Sequence, residues 1–129
     1  IIEILNVCEE NGVSGLIATN TTISSKTLQK PTSFEGGLSG KPLFKPSNNI
    51  LRLLAKKKNA STALIGVGGI FSATDIYEKI KMGASAVQIY TSFVYNGPRH
   101  VKKMEVELKK LLLNDGYGTI DSAVGALLR

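Results

Sequence analysis

Short apolar runs alternate with longer amphipathic stretches along this chain. Ile1, Leu5 and Cys8 recur at helical spacing with Ile2 and Ile4 beside them, and Asn11-Gly12 ends that run as a left-handed cap would. Gly15 to Thr19 (GLIAT) reads as a buried strand, followed at once by polar Asn20-Thr21-Thr22. Residues 23–46 carry no period and are mostly Ser, Thr, Lys, Gly and Pro, so they read as one long loop, of a length that is usually functional or mobile. Ser47 opens the next predicted helix, with Ile50, Leu51, Leu53 and Leu54 as its stripe. Ala63 to Val67 (ALIGV) is a second strand, closed by Gly68-Gly69. Ser72 stands three residues before Asp75, a capping-box spacing, and the helix behind it runs to Gly83. Ala86 to Tyr90 (AVQIY) is a third strand with Thr91-Ser92 at its end. Pro98 then starts the longest helix, where Val101, Met104, Leu108 and Leu111 keep the period and Glu105 can pair with Lys109.

Short apolar strands between amphipathic helices predict an α/β fold with a parallel sheet. Three strands with two open edges make a poor independent domain. Three strands of an eight-stranded barrel explain the count better. The chain has 129 residues, whereas a complete (β/α)8 TIM barrel takes roughly 250. It also begins on Ile1 rather than Met, inside an element, which suggests a piece of something longer.

Composition narrows the chemistry. One cysteine, Cys8, excludes an internal disulfide and a cysteine-built zinc site, and reads as helix packing. One histidine, His100, excludes a two-histidine metal site, and its place near a helix start reads as non-catalytic. No metal site is expected. The net charge is +6, but the lysines, Lys79 and Lys81 among them, fall mostly on helix faces opposite apolar stripes. They read as solvated surface, and no nucleic-acid partner is expected because no basic arm or aromatic interleaving accompanies them.

In parallel α/β proteins, ligands bind at the carboxyl ends of the strands. The three ends here are Thr19 to Thr22, Gly68-Gly69 and Tyr90 to Ser92, and they should meet at one mouth. Gly68-Gly69 lets backbone approach a ligand, and the helix that Ser72 caps follows, which favours a phosphate. Thr91 and Ser92 add hydroxyls. Asn20 and Thr21 suit a planar polar ligand. Gly36 to Leu43 (GGLSGKPL) places three glycines within five residues, so its backbone can lie against a flat ligand, and it is not a Walker A loop. Asp75 reads as a cap and Glu35 as a loop charge. The expectation is a binding surface without an obvious catalytic base.

Taken together, GLIATNTT, GGLSGKPL, IGVGGI (Ile65 to Ile70), GASAVQIYT (Gly83 to Thr91), NGP (Asn96 to Pro98) and the tail from Glu107 to Gly125 resemble the quinone-linked class of dihydroorotate dehydrogenases. That resemblance implies residues 1–129 are a partial FMN-binding barrel, strands six to eight plus the terminal helix. It implies that Asn20 and Thr21 bind dihydroorotate or orotate. Thr19, Ser39, Gly40, Gly68, Gly69, Tyr90 and Thr91 would hold FMN. The implied reaction oxidises dihydroorotate to orotate through FMN, with quinone as acceptor, in pyrimidine biosynthesis. The catalytic serine base, a lysine beside the flavin and the quinone-receiving helices would lie upstream, so this chain alone is expected to be inactive. Peripheral association with a bacterial or mitochondrial inner membrane would follow from the class alone. A class 1 dihydroorotate dehydrogenase and a non-catalytic half-barrel are the alternatives.

Overall fold

The computed structural model describes residues 1–23 and 36–129. Three strands, β1 (Gly15–Ala18), β2 (Ala63–Val67) and β3 (Ala86–Gln88), form one parallel sheet in the order β1-β2-β3. Helix α1 (Ile2–Glu10) precedes β1. A 3-10 turn (Lys41–Leu43) and α2 (Phe44–Lys57) lead into β2, and α3 (Ala73–Lys81) links β2 to β3. Then come α4 (Thr91–Asn96), α5 (Pro98–Asn114), α6 (Ile120–Ala123) and a last 3-10 turn (Ala126–Leu128). The α/β expectation holds, with the helices against one face of the sheet.

Strand register explains that one-sidedness. Ile17 pairs with Ile65, and Val67 with Gln88. Side chains alternate between faces along a strand, so Ala18, Leu64 and Gly66 point to the helices while Ile17, Ile65 and Val67 share the other face. Leu64 is fully buried, whereas Ile17 is 60% exposed. The strands are therefore half-covered rather than buried on both faces, as the sequence reading had them. One core cluster packs Leu5, Ala18, Leu51, Leu54, Leu64 and Ala84 between α1, α2 and the sheet. A second joins α3, α5 and α6 through Ile76, Ile80, Met104, Leu108, Leu112 and Ala123.

Several boundaries move. Helix α2 begins at Phe44, not Ser47, because the Lys41–Leu43 turn feeds directly into it and Pro46 sits in a first turn whose N–H groups lack helical partners anyway. Ser47 is consequently buried inside the helix. β3 stops at Gln88, and a short helix, α4, occupies TSFVYN, a stretch whose β-branched and aromatic residues gave no helical signal. Cys8 is only partly buried. Glu105 pairs with Lys102 at 2.9 Å rather than with Lys109. Ser72 does cap α3, accepting from Asp75 N at 3.2 Å, but the Asp75 carboxylate reaches past the cap to Phe71 N at 2.9 Å.

The two faces of the sheet predict unequal sensitivity. Leu64→Ala should lower unfolding free energy in urea by about 2–5 kcal/mol. Ile17→Ala should lower it by under about 1 kcal/mol. Equal losses would mean that the Ile17 face is covered in solution.

Candidate functional site

The three strand ends meet at one mouth, around a cleft of about 260 Å³. β1 contributes Thr19, Asn20 and Thr21, β2 contributes Gly68 and Gly69, and β3 leads into Tyr90 and Thr91. Ser39 and Gly40 close it from the long loop, so all nine candidate site residues border the same space. The rest of that loop, from 24 to 35 and including Glu35, lies outside the described residues.

Backbone contacts bring the loop there. Thr22 N donates to Leu38 O at 3.1 Å and Leu38 N to Thr22 O at 2.7 Å, a two-residue antiparallel bridge that pins the loop's return beside β1. A side chain at Gly37 would collide with the Thr21 hydroxyl. Thr91 Oγ1 donates to Ser39 Oγ at 3.2 Å, tying the loop to the end of β3. Asn20 Oδ1 accepts from Thr21 N at 2.7 Å, leaving its two amide donors without a partner among the described residues.

The Gly68-Gly69 turn is held from three sides. Gly69 has φ +72, and a Cβ there would lie 2.5 Å from Phe44 Cα, so only glycine lets the turn rest on the start of α2. Ser47 Oγ lies 3.2 Å from Gly68 O and 3.1 Å from Phe44 O. Beyond the turn, Phe71 N is taken by Asp75 and Phe71 O lies 3.1 Å from His100 Nε2. A carbonyl only accepts, so Nε2 carries the proton there. His100 and Asp75 are thereby engaged with backbone.

Sequence reasoning missed the group behind this turn. Lys79, expected on a solvated face, is fully buried. Its Nζ donates to Ser47 Oγ and to Asn48 Oδ1, each at 2.7 Å, and lies 5.3 Å from the centre of the Phe44 ring. Asn48 Nδ2 in turn donates to Glu78 Oε1 at 3.0 Å. Among the described residues no carboxylate forms an ion pair with Lys79. Burial pushes its ammonium down to about 8, against the opposing pull of Glu78 and Asp75. A position one turn after Asp75 on an otherwise amphipathic helix carried no signal of this, because Lys is ordinarily the outward residue.

The lining chemistry suits an anionic, partly flat ligand. No Asp, Glu, Lys, Arg or His lines the cleft among the described residues, and Tyr90, 78% exposed, is its one titratable side chain. Hydroxyls of Thr19, Thr21, Ser39 and Thr91 border it. So does Ser92, whose buried hydroxyl has no hydrogen-bond partner among the described residues. A glycine turn, several hydroxyls and an orphaned donor, with no carboxylate to repel it, fit a phosphate monoester.

These features define an α/β protein with a ligand mouth at the carboxyl ends of parallel strands. A family model described as dihydroorotate dehydrogenase matches residues 1–112. A protein of Helicobacter acinonychis called dihydroorotate dehydrogenase (quinone) is 46% identical over 99% of this chain and 36% of its own length. One of the same name from Myxococcus xanthus is 42% identical over 96% of this chain and 34% of that protein. The crystal structure of a ligand-free dihydroorotate dehydrogenase from Eimeria tenella superposes with TM-score 0.91 at 38% identity, covering 98% of this chain and 36% of the other. This chain belongs to the dihydroorotate dehydrogenase family, and it spans about a third of the length of the relatives it matches.

Lys79 gives a pH signature of known sign. Its folded value is lowered, so below about pH 8 it is charged in both states and folding bears the full burial penalty. As pH rises from about 8 toward the ordinary 10.5, the unfolded chain binds the extra proton and the penalty is relieved. The unfolding free energy of the unsubstituted chain minus that of Lys79→Met should therefore rise across that window, by on the order of 3 kcal/mol. A flat difference would show that Lys79 is not desolvated.

Proposed function

We propose that this chain supplies strands six to eight and the terminal helix of a (β/α)8 barrel, and with them part of the FMN and dihydroorotate site of a quinone-linked dihydroorotate dehydrogenase. The observation that carries the reading is the convergence of Thr19 to Thr21, Ser39-Gly40, Gly68-Gly69 and Tyr90-Thr91 on one cleft that no charged side chain lines among the described residues. Its volume, about 260 Å³, lies below the roughly 300–1,000 Å³ of a complete ligand pocket. That is what one wall of a larger site would leave. The sheet face bearing Ile17, uncovered among the described residues, supports the same conclusion, since parallel sheets are ordinarily covered on both sides.

In this reading the Gly68-Gly69 amides and the Thr91 hydroxyl hold the FMN phosphate, with Tyr90 beside them. Thr19, Ser39 and Gly40 lie along the flavin. Asn20 presents its amide donors, and Thr21 its hydroxyl, to the pyrimidine and carboxylate of dihydroorotate. The chemistry supplied by bound FMN is acceptance of a hydride from dihydroorotate, giving orotate, with the electrons passed on to a quinone. The residues here bind and orient. The base that removes the substrate proton belongs to the part of the relatives this chain does not match. Peripheral membrane association would come with the quinone-linked class, and among the described residues no helix is long and apolar enough to cross a membrane.

The test joins this chain to the unmatched part of the Helicobacter acinonychis relative, completing a barrel. The product should show flavin absorbance and reduce a quinone with dihydroorotate, while the 129 residues alone should not turn over. Asn20→Ala should keep the flavin band and lower kcat/KM for dihydroorotate by about tenfold to a hundredfold. Loss of flavin with no change for dihydroorotate in the retained fraction would reverse the assignment of Asn20.

A further inference from the structure

Lys79 is a buried cation with no carboxylate paired to it among the described residues, an arrangement that is unfavourable unless something compensates for it. Its partners are all on the first turn and a half of α2: the Ser47 hydroxyl, the Asn48 carbonyl and the Phe44 ring. Because Nζ can only donate, it occupies a lone pair of Ser47 Oγ. The single Ser47 proton is then available to the carbonyls of Phe44 and Gly68. The ammonium thus stands two hydrogen bonds from Gly68 O.

The Gly68–Gly69 peptide is trans. A trans peptide points its C=O and N–H in opposite directions. With Gly68 O drawn toward Ser47, the Gly69 N–H is turned the other way, and Gly69 lines the cleft.

We propose that Lys79 is a positioning residue for the phosphate end of the bound cofactor. Acting through Ser47, it fixes the orientation of the Gly68–Gly69 peptide and places a positive charge behind it. The inference rests on the flavin-phosphate reading above. It differs from a purely structural clamp between α2 and α3 in one respect: only the positioning role distinguishes a ligand that carries a phosphate from one that does not.

That difference sets the experiment. FMN and riboflavin, which share the flavin ring and differ by the phosphate, are titrated by fluorescence into the flavin-stripped barrel described above, with and without Lys79→Met. The unsubstituted protein should bind FMN more tightly than riboflavin, and Lys79→Met should shrink that preference about tenfold. If Lys79→Met weakens both flavins equally or neither, the inference is overturned while the flavin reading stands. If the unsubstituted barrel does not prefer FMN, the phosphate reading fails and the inference with it. Ser47→Ala, a smaller change in the core, covers the case in which Lys79→Met does not fold. It should lower FMN affinity about threefold with riboflavin unchanged, and equal weakening of the two would overturn the relay.

Discussion

The need to satisfy one buried ammonium organises the site end of this molecule. Lys79 cannot reach water, so its hydrogen bonds must come from the protein, and Ser47 and Asn48 on α2 provide them. That requirement explains why α2 buries two polar residues in its first turns, where its apolar stripe would otherwise place aliphatic ones. It also seats α2 directly beneath the Gly68-Gly69 turn, because Ser47 is shared between Lys79 and Gly68. Gly69 then has to be glycine, since Phe44 occupies the place a side chain would take. A single desolvated charge thereby links α3, α2 and the end of β2.

A second constraint acts at the sheet. Among the described residues β2 is flanked on both sides, but β1 and β3 each have an unpaired edge, and the face with Ile17, Ile65 and Val67 has no helix over it. Further apolar side chains stand exposed at the β3 side, including Phe93, Val94 and Tyr95 of α4. Open edges and an uncovered apolar face are what a sheet presents when its neighbours are missing. The proposal of a barrel segment accounts for both edges and the face at once, whereas a self-sufficient three-layer domain would leave all three unexplained.

Much of this was legible in the sequence, for a physical reason. Strand and helix periods are local, so GLIAT and ALIGV, and the helix behind Ser72, could be located within a residue or so, and the strand-end rule placed the candidate residues at one mouth. What escaped depends on long-range partners. Ser47 looked like a helix cap because capping is what Ser does locally, and besides Phe44 O its partners are 21 and 32 residues away in sequence. Lys79 looked solvated because its spacing carries no trace of the pocket that α2 builds around it. The third strand reads to Tyr90 with Thr91-Ser92 at its end, and Phe93 to Tyr95 carry no helical signal in their residue types, yet a short helix forms over Thr91–Asn96, with the Asn96 side chain donating to Ser92 O at 2.9 Å. The hold of His100 on Phe71 lies 29 residues off and could not be read from spacing.

The absence of charge from the described cleft lining follows from these same contacts. Asp75 and His100 are the titratable groups closest to the Gly68 to Ser72 loop in the bonding network, and both are directed at the backbone of Phe71. Their hydrogen bonds fix the loop and keep a carboxylate and an imidazole out of the ligand's space. With no charged side chain among the described residues of the cleft lining, the potential from this wall is set by backbone dipoles and by the charge behind them. Interactions through protein are stronger than those through water, so a buried lysine two hydrogen bonds away carries more weight than the exposed lysines on α5. The neutrality of the wall and the burial of the cation are therefore complementary. A surface lysine in the cleft would bind anions indiscriminately, whereas a charge expressed through an oriented peptide acts only on a group that fits against the glycine turn.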